Sequence, residues 1–165
     1  MSEPIVADAD LRTTAGLGTE EIRTLGRTAA WLGKQVELGL GSVDLSVPQY
    51  RILGLLDEHS AVSSYLAERL AVRPPTITAV VDGLVVRGLV ERRAVSADRR
   101  RVDHVLTDEG HRVLDAADAA VTARLTDIAS CVDRPGAVAE AFDGLTAWRR
   151  AFQAYRASKT NTAAR

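Results

Sequence analysis

Eight arginines fall between residues 68 and 101, namely Arg69, Arg73, Arg87, Arg92, Arg93, Arg99, Arg100 and Arg101, against four acids, Glu68, Asp82, Glu91 and Asp98. That block carries +4, while the whole chain carries −1. A guanidinium presents a planar fork of donors that matches phosphate oxygens and the edge of guanine. Arginine without lysine in so confined a stretch therefore points to an anionic partner. The competing reading is a solvated charged face, which is what most charge runs are.

Other chemistry finds little footing. His59, His104 and His111 include no pair at the i, i+4 spacing that places two imidazoles on one helical face, so no metal site is expected. Cys131 is the single cysteine and can neither close an intrachain disulfide nor build a thiolate cluster. With Asp127 and Asp133 nearby to disfavour a thiolate, it reads as a small, at least partly buried hydrophobe rather than a redox switch. No Ser-His-Asp set, G-x-S-x-G elbow, phosphate loop or carboxylate pair stands in a supporting context. Neither an enzyme nor a cofactor is expected.

The 165 residues, 46% hydrophobic, 26% charged and 4% aromatic, suit one compact domain or a core with an appended assembly surface. No apolar run reaches the ~18 residues of a membrane span. Glu3, Asp8 and Asp10 precede Leu11 without the apolar stretch of a secretory leader, so a cytoplasmic protein is expected.

The elements that must position these residues follow from periodicity. Thr19 is a candidate cap for a first helix in which Ile22, Leu25, Ala29, Leu32, Val36 and Leu40 recur at spacings of 3 and 4 until Gly39 and Gly41. Ser46 and Gln49 form a capping box before a second helix ending near His59. Ser63 or Ser64 opens a third, and the turn Ala71-Val72-Arg73 leads to Pro74-Pro75 and a fourth from Pro75 to Arg87, with Gly88 as its stop. Val90 to Val95 and Val102 to Leu106 then alternate around Ser96-Ala97-Asp98-Arg99-Arg100, which reads as the turn of a basic-tipped hairpin. Thr107 caps a fifth helix with a stripe of Leu114, Ala117, Val121, Leu125, Ile128 and Val132. Asp133 and Pro135 start a sixth, carrying Val138, Phe142, Leu145, Trp148, Phe152 and Tyr155, that frays after Ser158.

A short helix, a tight turn, a second helix and a basic hairpin, in that order, describe a winged helix-turn-helix. The expected fold is mainly α with a small β-hairpin wing: a winged helix-turn-helix plus a helical dimerisation domain. Residues 1–18 are expected to be a flexible arm, 19–44 and 108–157 the dimerisation helices, 45–107 the winged domain and 158–165 a frayed tail. The first, fifth and sixth helices have apolar stripes longer or richer than one subdomain can bury, so they need a partner surface.

Residues 19 to 157 resemble the MarR family of bacterial transcription regulators. Leu45-Ser46-Val47-Pro48-Gln49-Tyr50 is similar to the family's second-helix opening, and Leu66-Ala67-Glu68-Arg69-Leu70-Ala71-Val72 to its first DNA-domain helix and turn. Thr76-Ile77-Thr78, Val81-Asp82-Gly83-Leu84 and Arg87-Gly88-Leu89-Val90 resemble the recognition helix and its exit. Asp98-Arg99-Arg100 through Leu106-Thr107, with Gly110, resembles the wing signature and the helix after it. The resemblance implies a homodimer reading a near-palindromic duplex operator, its recognition helices about 34 Å apart. It implies a repressor released by a small aromatic or hydrophobic ligand.

The expected DNA contacts are Arg73, Thr76, Thr78, Ala79, Arg87, Arg99 and Arg100, with Arg99 or Arg100 entering a minor groove. Ala79 and Gly83 stand where the family often has longer polar residues, so affinity should lean on Arg73, Arg87 and the wing. Arg92 and Arg93 could pair with Glu91 or Asp103 instead of phosphate. Trp31, Tyr50 and His111 are candidates for a ligand crevice, with core packing as the alternative. A winged-helix protein-interaction module and, last, an enzyme are the rival readings.

Overall fold

In a computed structural model of the chain, the described residues are Gly16, 18–95 and 98–163; the side chains of 95–101, 157 and 159–163 also lie outside the description. Apart from Gly16 and Gly18, the expected N-terminal arm falls outside the described residues. The elements are α1 (Thr19–Leu40), a 3-10 turn (Gly41–Val43), α2 (Val47–Glu58), α3 (Ser63–Leu70), α4 (Pro74–Val86), β1 (Val90–Val95), β2 (Asp98–Leu106), α5 (Asp108–Ala129) and α6 (Ala137–Ala163). The protein is mainly helical with one antiparallel hairpin, as the sequence pattern predicts. Two compact units divide it, residues 1–124 and 125–165.

Local chemistry sets most helix ends. Ser46 Oγ accepts the Gln49 N–H at 3.4 Å while Gln49 Oε1 accepts the Ser46 N–H at 2.9 Å, which closes the predicted capping box. Three starts differ from the sequence reading. At α1, extended Gly18 occupies the cap and donates its N–H to Glu21 Oε2 at 2.6 Å, so Thr19 is already helical. α3 opens at Ser63, as expected, with extended Val62 at its cap and Ser63 Oγ 2.8 Å from His104 Nε2. At α4 the helix begins one residue earlier, at Pro74, capped by extended Arg73. The last helix starts at Ala137 and continues to Ala163, beyond the expected fraying point.

α3 and α4 form the helix-turn-helix. Ala71 turns the chain in the left-handed region at φ 55°, its N–H reaching back to the carbonyls of Ala67 and Glu68. Leu66 and Leu70 of α3 and Ile77, Val81 and Leu84 of α4 are buried beside Leu53 of α2 in one core. The hairpin pairs Val90 with Leu106 through Ala94 with Val102, then shifts so that Val95 pairs with Asp98. Asp98 to Arg100, expected in the turn, therefore belong to β2, while Ser96 and Ala97 lie outside the described residues. Ala61 adds a bridge on the other edge of β2, exchanging backbone bonds with His104 at 2.8 and 3.1 Å.

α4, both strands and α5 meet at Thr107. Its N–H donates to Leu89 O at 3.2 Å, its hydroxyl donates to Gly88 O at 2.7 Å, and Thr107 Oγ1 in turn accepts the Gly110 N–H at 3.0 Å. Gly110 lies so close beneath Leu89 that an added Cβ would overlap the Leu89 carbonyl. Nearer the α1 terminus, Gly39 sits where a Cβ would come within 3.2 Å of the Val121 backbone, so α1 and α5 are also in close approach.

The stripe of α5 is buried at Leu114, Ala117 and Val121. In the second unit Ile128 and Val132 are exposed, as are Val138, Phe142, Leu145, Trp148, Phe152 and Tyr155. Cys131 lies beyond the end of α5 and is exposed rather than buried, its Sγ 3.6 Å from Asp127 O. Gly110→Ala must push Leu89 away from the root of the hairpin and is expected to lower stability by about 1 to 3 kcal/mol. Urea unfolding monitored by circular dichroism measures this, with Gly83→Ala, at a site with nothing within 4 Å, as the tolerated comparison.

Candidate nucleic-acid interface

The buried face of α4 fixes its outward face. With Ile77, Val81 and Leu84 inward, Thr76, Thr78, Ala79 and Asp82 are exposed, and Val86 is 87% exposed. The face offers few hydrogen-bond donors. Thr78 Oγ1 donates to the Pro74 carbonyl at 3.1 Å, and Asp82 is held by Arg92 of β1 in an ion pair. That pair ties the hairpin to the helix, and the sequence reading, which weighed Glu91 and Asp103 as partners of Arg92, did not include Asp82. Arg93 does pair with Glu91, as considered.

The other arginines divide by surroundings. Arg73 is exposed at the cap of α4, where its carbonyl accepts from Thr76 and Ile77. Arg87 donates from Nη1 to the Asp44 carbonyl at 2.8 Å, with Nη2 3.8 Å from the same residue's carboxylate, and so clasps the link between α1 and α2. Asp44 itself is left-handed, at φ 52°. Arg69 lies over the Tyr65 ring, 5.9 Å from its centre. The backbone of Arg99 and Arg100 is in β2, and their side chains lie outside the described residues.

Tyr50 and His111 come to the same pair of helices. The Tyr50 hydroxyl donates to Asp118 of α5, and His111 Nδ1 of α5 donates to Asp57 of α2 at 3.0 Å. Burial, the hydrogen bond and the Asp118 charge push the Tyr50 phenol up to about 12. Trp31 is 78% exposed on α1, and the ring contacts among the described residues, His59 with Tyr65 and Trp148 with Phe152, do not include it. A cleft of about 810 Å3 opens where Glu37, Asp44, Ser46, Gln49 and Arg87 converge; Trp31, Tyr50 and His111 are not in its lining. No group of three or more His, Cys, Asp or Glu suited to a metal occurs among the described residues. No helix among them is long and apolar enough to cross a membrane.

Residues 43–101, which hold α2, α3, α4, β1 and the first residues of β2, match the MarR family. The likeness is to that family's DNA-binding segment and covers about a third of the chain. The HTH-type transcriptional repressor MdtR of Bacillus subtilis (strain 168) is 38% identical over 63 residues, which are 38% of this chain and 41% of MdtR. The chain thus spans less than half the length of the curated relatives it matches. Solved structures resemble it over more of its length. The transcriptional repressor CouR bound to a 23-mer DNA duplex superimposes with a TM-score of 0.67 and 25% identity, over 79% of this chain and 89% of CouR. CouR from Rhodococcus jostii RHA1 bound to p-coumaroyl-CoA gives 0.61 and 29%, over 74% and 86%.

The Tyr50 phenol is raised in the folded state above its ordinary 10, so its contribution is complete below pH 10 and is lost as pH rises through about 12. Alkaline unfolding of wild type should therefore steepen in that window. Tyr50→Phe, which has no phenol to ionise, should lack the added slope in stability measured against pH.

Proposed function

We propose that the protein is a homodimeric, sequence-specific DNA-binding transcriptional repressor of the MarR type, released by a small aromatic or hydrophobic ligand. The observation that carries the reading is the presentation of α4: its apolar face is sealed into the core, and the exposed face stands beside a hairpin whose strands hold five of the eight arginines of the block. The match over this segment to the MarR family and the likeness to CouR on a DNA duplex support it. No part of it requires an enzyme.

In this reading Thr76 and Ala79 lie against base edges, Ala79 against a thymine methyl, and Arg73, Arg99 and Arg100 meet phosphates or the minor groove. Thr78 approaches as an acceptor, since its hydroxyl proton is engaged by Pro74 O. Arg87 reaches phosphate only by leaving Asp44. A second copy covers exposed apolar side chains such as Phe142 and Phe152, and its recognition helix supplies the other half-site of a near-palindromic operator. The effector is placed near Trp31, Tyr50 and His111, on the strength of the family resemblance and of CouR having been solved with p-coumaroyl-CoA.

Light scattering at micromolar concentration should give a dimer, and selection from random duplexes should return an inverted repeat. Replacing Arg99 and Arg100 together by Ala should weaken binding to all sequences and flatten the salt slope by about one for each phosphate no longer neutralised. Thr76→Val should cost about 1 to 3 kcal/mol at one base position, with Thr78→Val costing less. A monomer that shifts no duplex at low salt would refute the proposal and leave the protein-interaction module. A ligand found by thermal shift must weaken operator binding by the factor by which the operator weakens it.

A further inference from the structure

His104 is the buried polar side chain of the core among the described residues, at 4% exposure. Its backbone joins Ala61 to β2, and its ring Nε2 lies 2.8 Å from Ser63 Oγ at the start of α3. One residue thus holds the hairpin to the helix-turn-helix through main chain and side chain together. Its Nδ1 is buried and has no hydrogen-bond partner among the described residues.

This asymmetry fixes the proton. A buried N–H without an acceptor is costlier than an unused ring lone pair, so the neutral ring carries its hydrogen on Nε2 and donates to Ser63. A second proton would have to sit on Nδ1, which is buried and has no acceptor among the described residues. Burial holds the ring below its ordinary 6.5, and Arg92 of β1 pushes the same way, while Asp103 of β2 and Asp82 of α4 oppose them. α2 also packs against β2; it contributes buried Ile52, Leu53 and Leu56, and its Asp57 is engaged by His111.

We propose that His104 is an acid-sensitive anchor of the hairpin: the neutral ring and the Ala61 bridge hold β2 to the start of α3, and protonation releases the two together. The sign follows from linkage. The released hairpin exposes an ordinary histidine and the anchored one does not, so the anchored state is favoured fully above pH 6.5 and loses ground below it, by up to about tenfold per pH unit until the anchored ring itself titrates. Nothing in this depends on DNA, although a hairpin freed in acid would also leave any surface it shares with α4.

The test is amide hydrogen exchange, read by nuclear magnetic resonance on the full chain and corrected for intrinsic rates, between about pH 7 and about pH 5. The Ala61 and His104 amides should lose protection by up to about tenfold per unit below 6.5, while Leu53 in the core keeps its own. In His104→Gln, which has a side-chain amide to donate to Ser63 and no titrating ring, the pH dependence of the Ala61 amide should vanish. Direct titration of the wild-type His104 ring should give a value below 6.5. Protection that does not change in wild type, an equal loss in His104→Gln, or a ring that titrates at or above the ordinary value would each overturn the proposal. Should His104→Gln fail to fold, wild-type exchange and the ring titration decide it.

Discussion

The junction at Thr107 is the constraint on which the winged half of the molecule depends. One hydroxyl donates to the turn that ends α4 and accepts from the first turn of α5, and the same residue's N–H holds the start of β1. Because Gly110 leaves no gap above it, α5 rises directly from the root of the hairpin. The orientation of the strands relative to α4 is therefore set twice, at Thr107 and again where Asp82 meets Arg92. Neither the buried stripe of α4 nor the hairpin pairing alone would specify how the basic strands stand beside the exposed helix face.

The arginine block looks less like a field of free charge once its partners are counted. Arg87, Arg92 and Arg93 are engaged by Asp44, Asp82 and Glu91. Exposed pairs of this kind contribute about 0 to 1 kcal/mol. They aim the guanidinium groups more than they stabilise the fold, and the low cost of parting them lets an arginine exchange a carboxylate for another anion. A formal charge of −1 for the chain and +4 for the block describes composition; the pairing decides which groups are available.

Local chemistry was readable from the sequence wherever a cap or a turn is made by neighbours. The Ser46 and Gln49 box, the Thr107 cap and the stop at Gly88 all fall where spacing placed them, and α4 starts on the first proline of the expected pair instead of the second. Where the pairing of a charged group was missed, the partner comes from another element. Arg92 looks like a partner for its neighbours until Asp82 arrives from α4. The α4 surface was legible as positions, since the period alone exposes Thr76 and Ala79. That the Thr78 proton is spent on Pro74 O, and that Arg87 is clasped by Asp44, depends on rotamers and loop geometry that no pattern of residue types encodes.

The two polar bridges between α2 and α5 carry a mechanical consequence. Tyr50 and Asp57 stand seven residues apart on one helix, and their partners Asp118 and His111 stand seven apart on the other, in antiparallel order. Sliding either helix along its axis by one turn, about 5.4 Å, would break both bridges at once and leave each group opposite a stranger. Tilting about one bridge disturbs chiefly the other. Shear between these helices is thus opposed by two bridges acting together, whereas a hinge is opposed by one at a time. Of the two motions, the hinge is therefore the one these bridges oppose less.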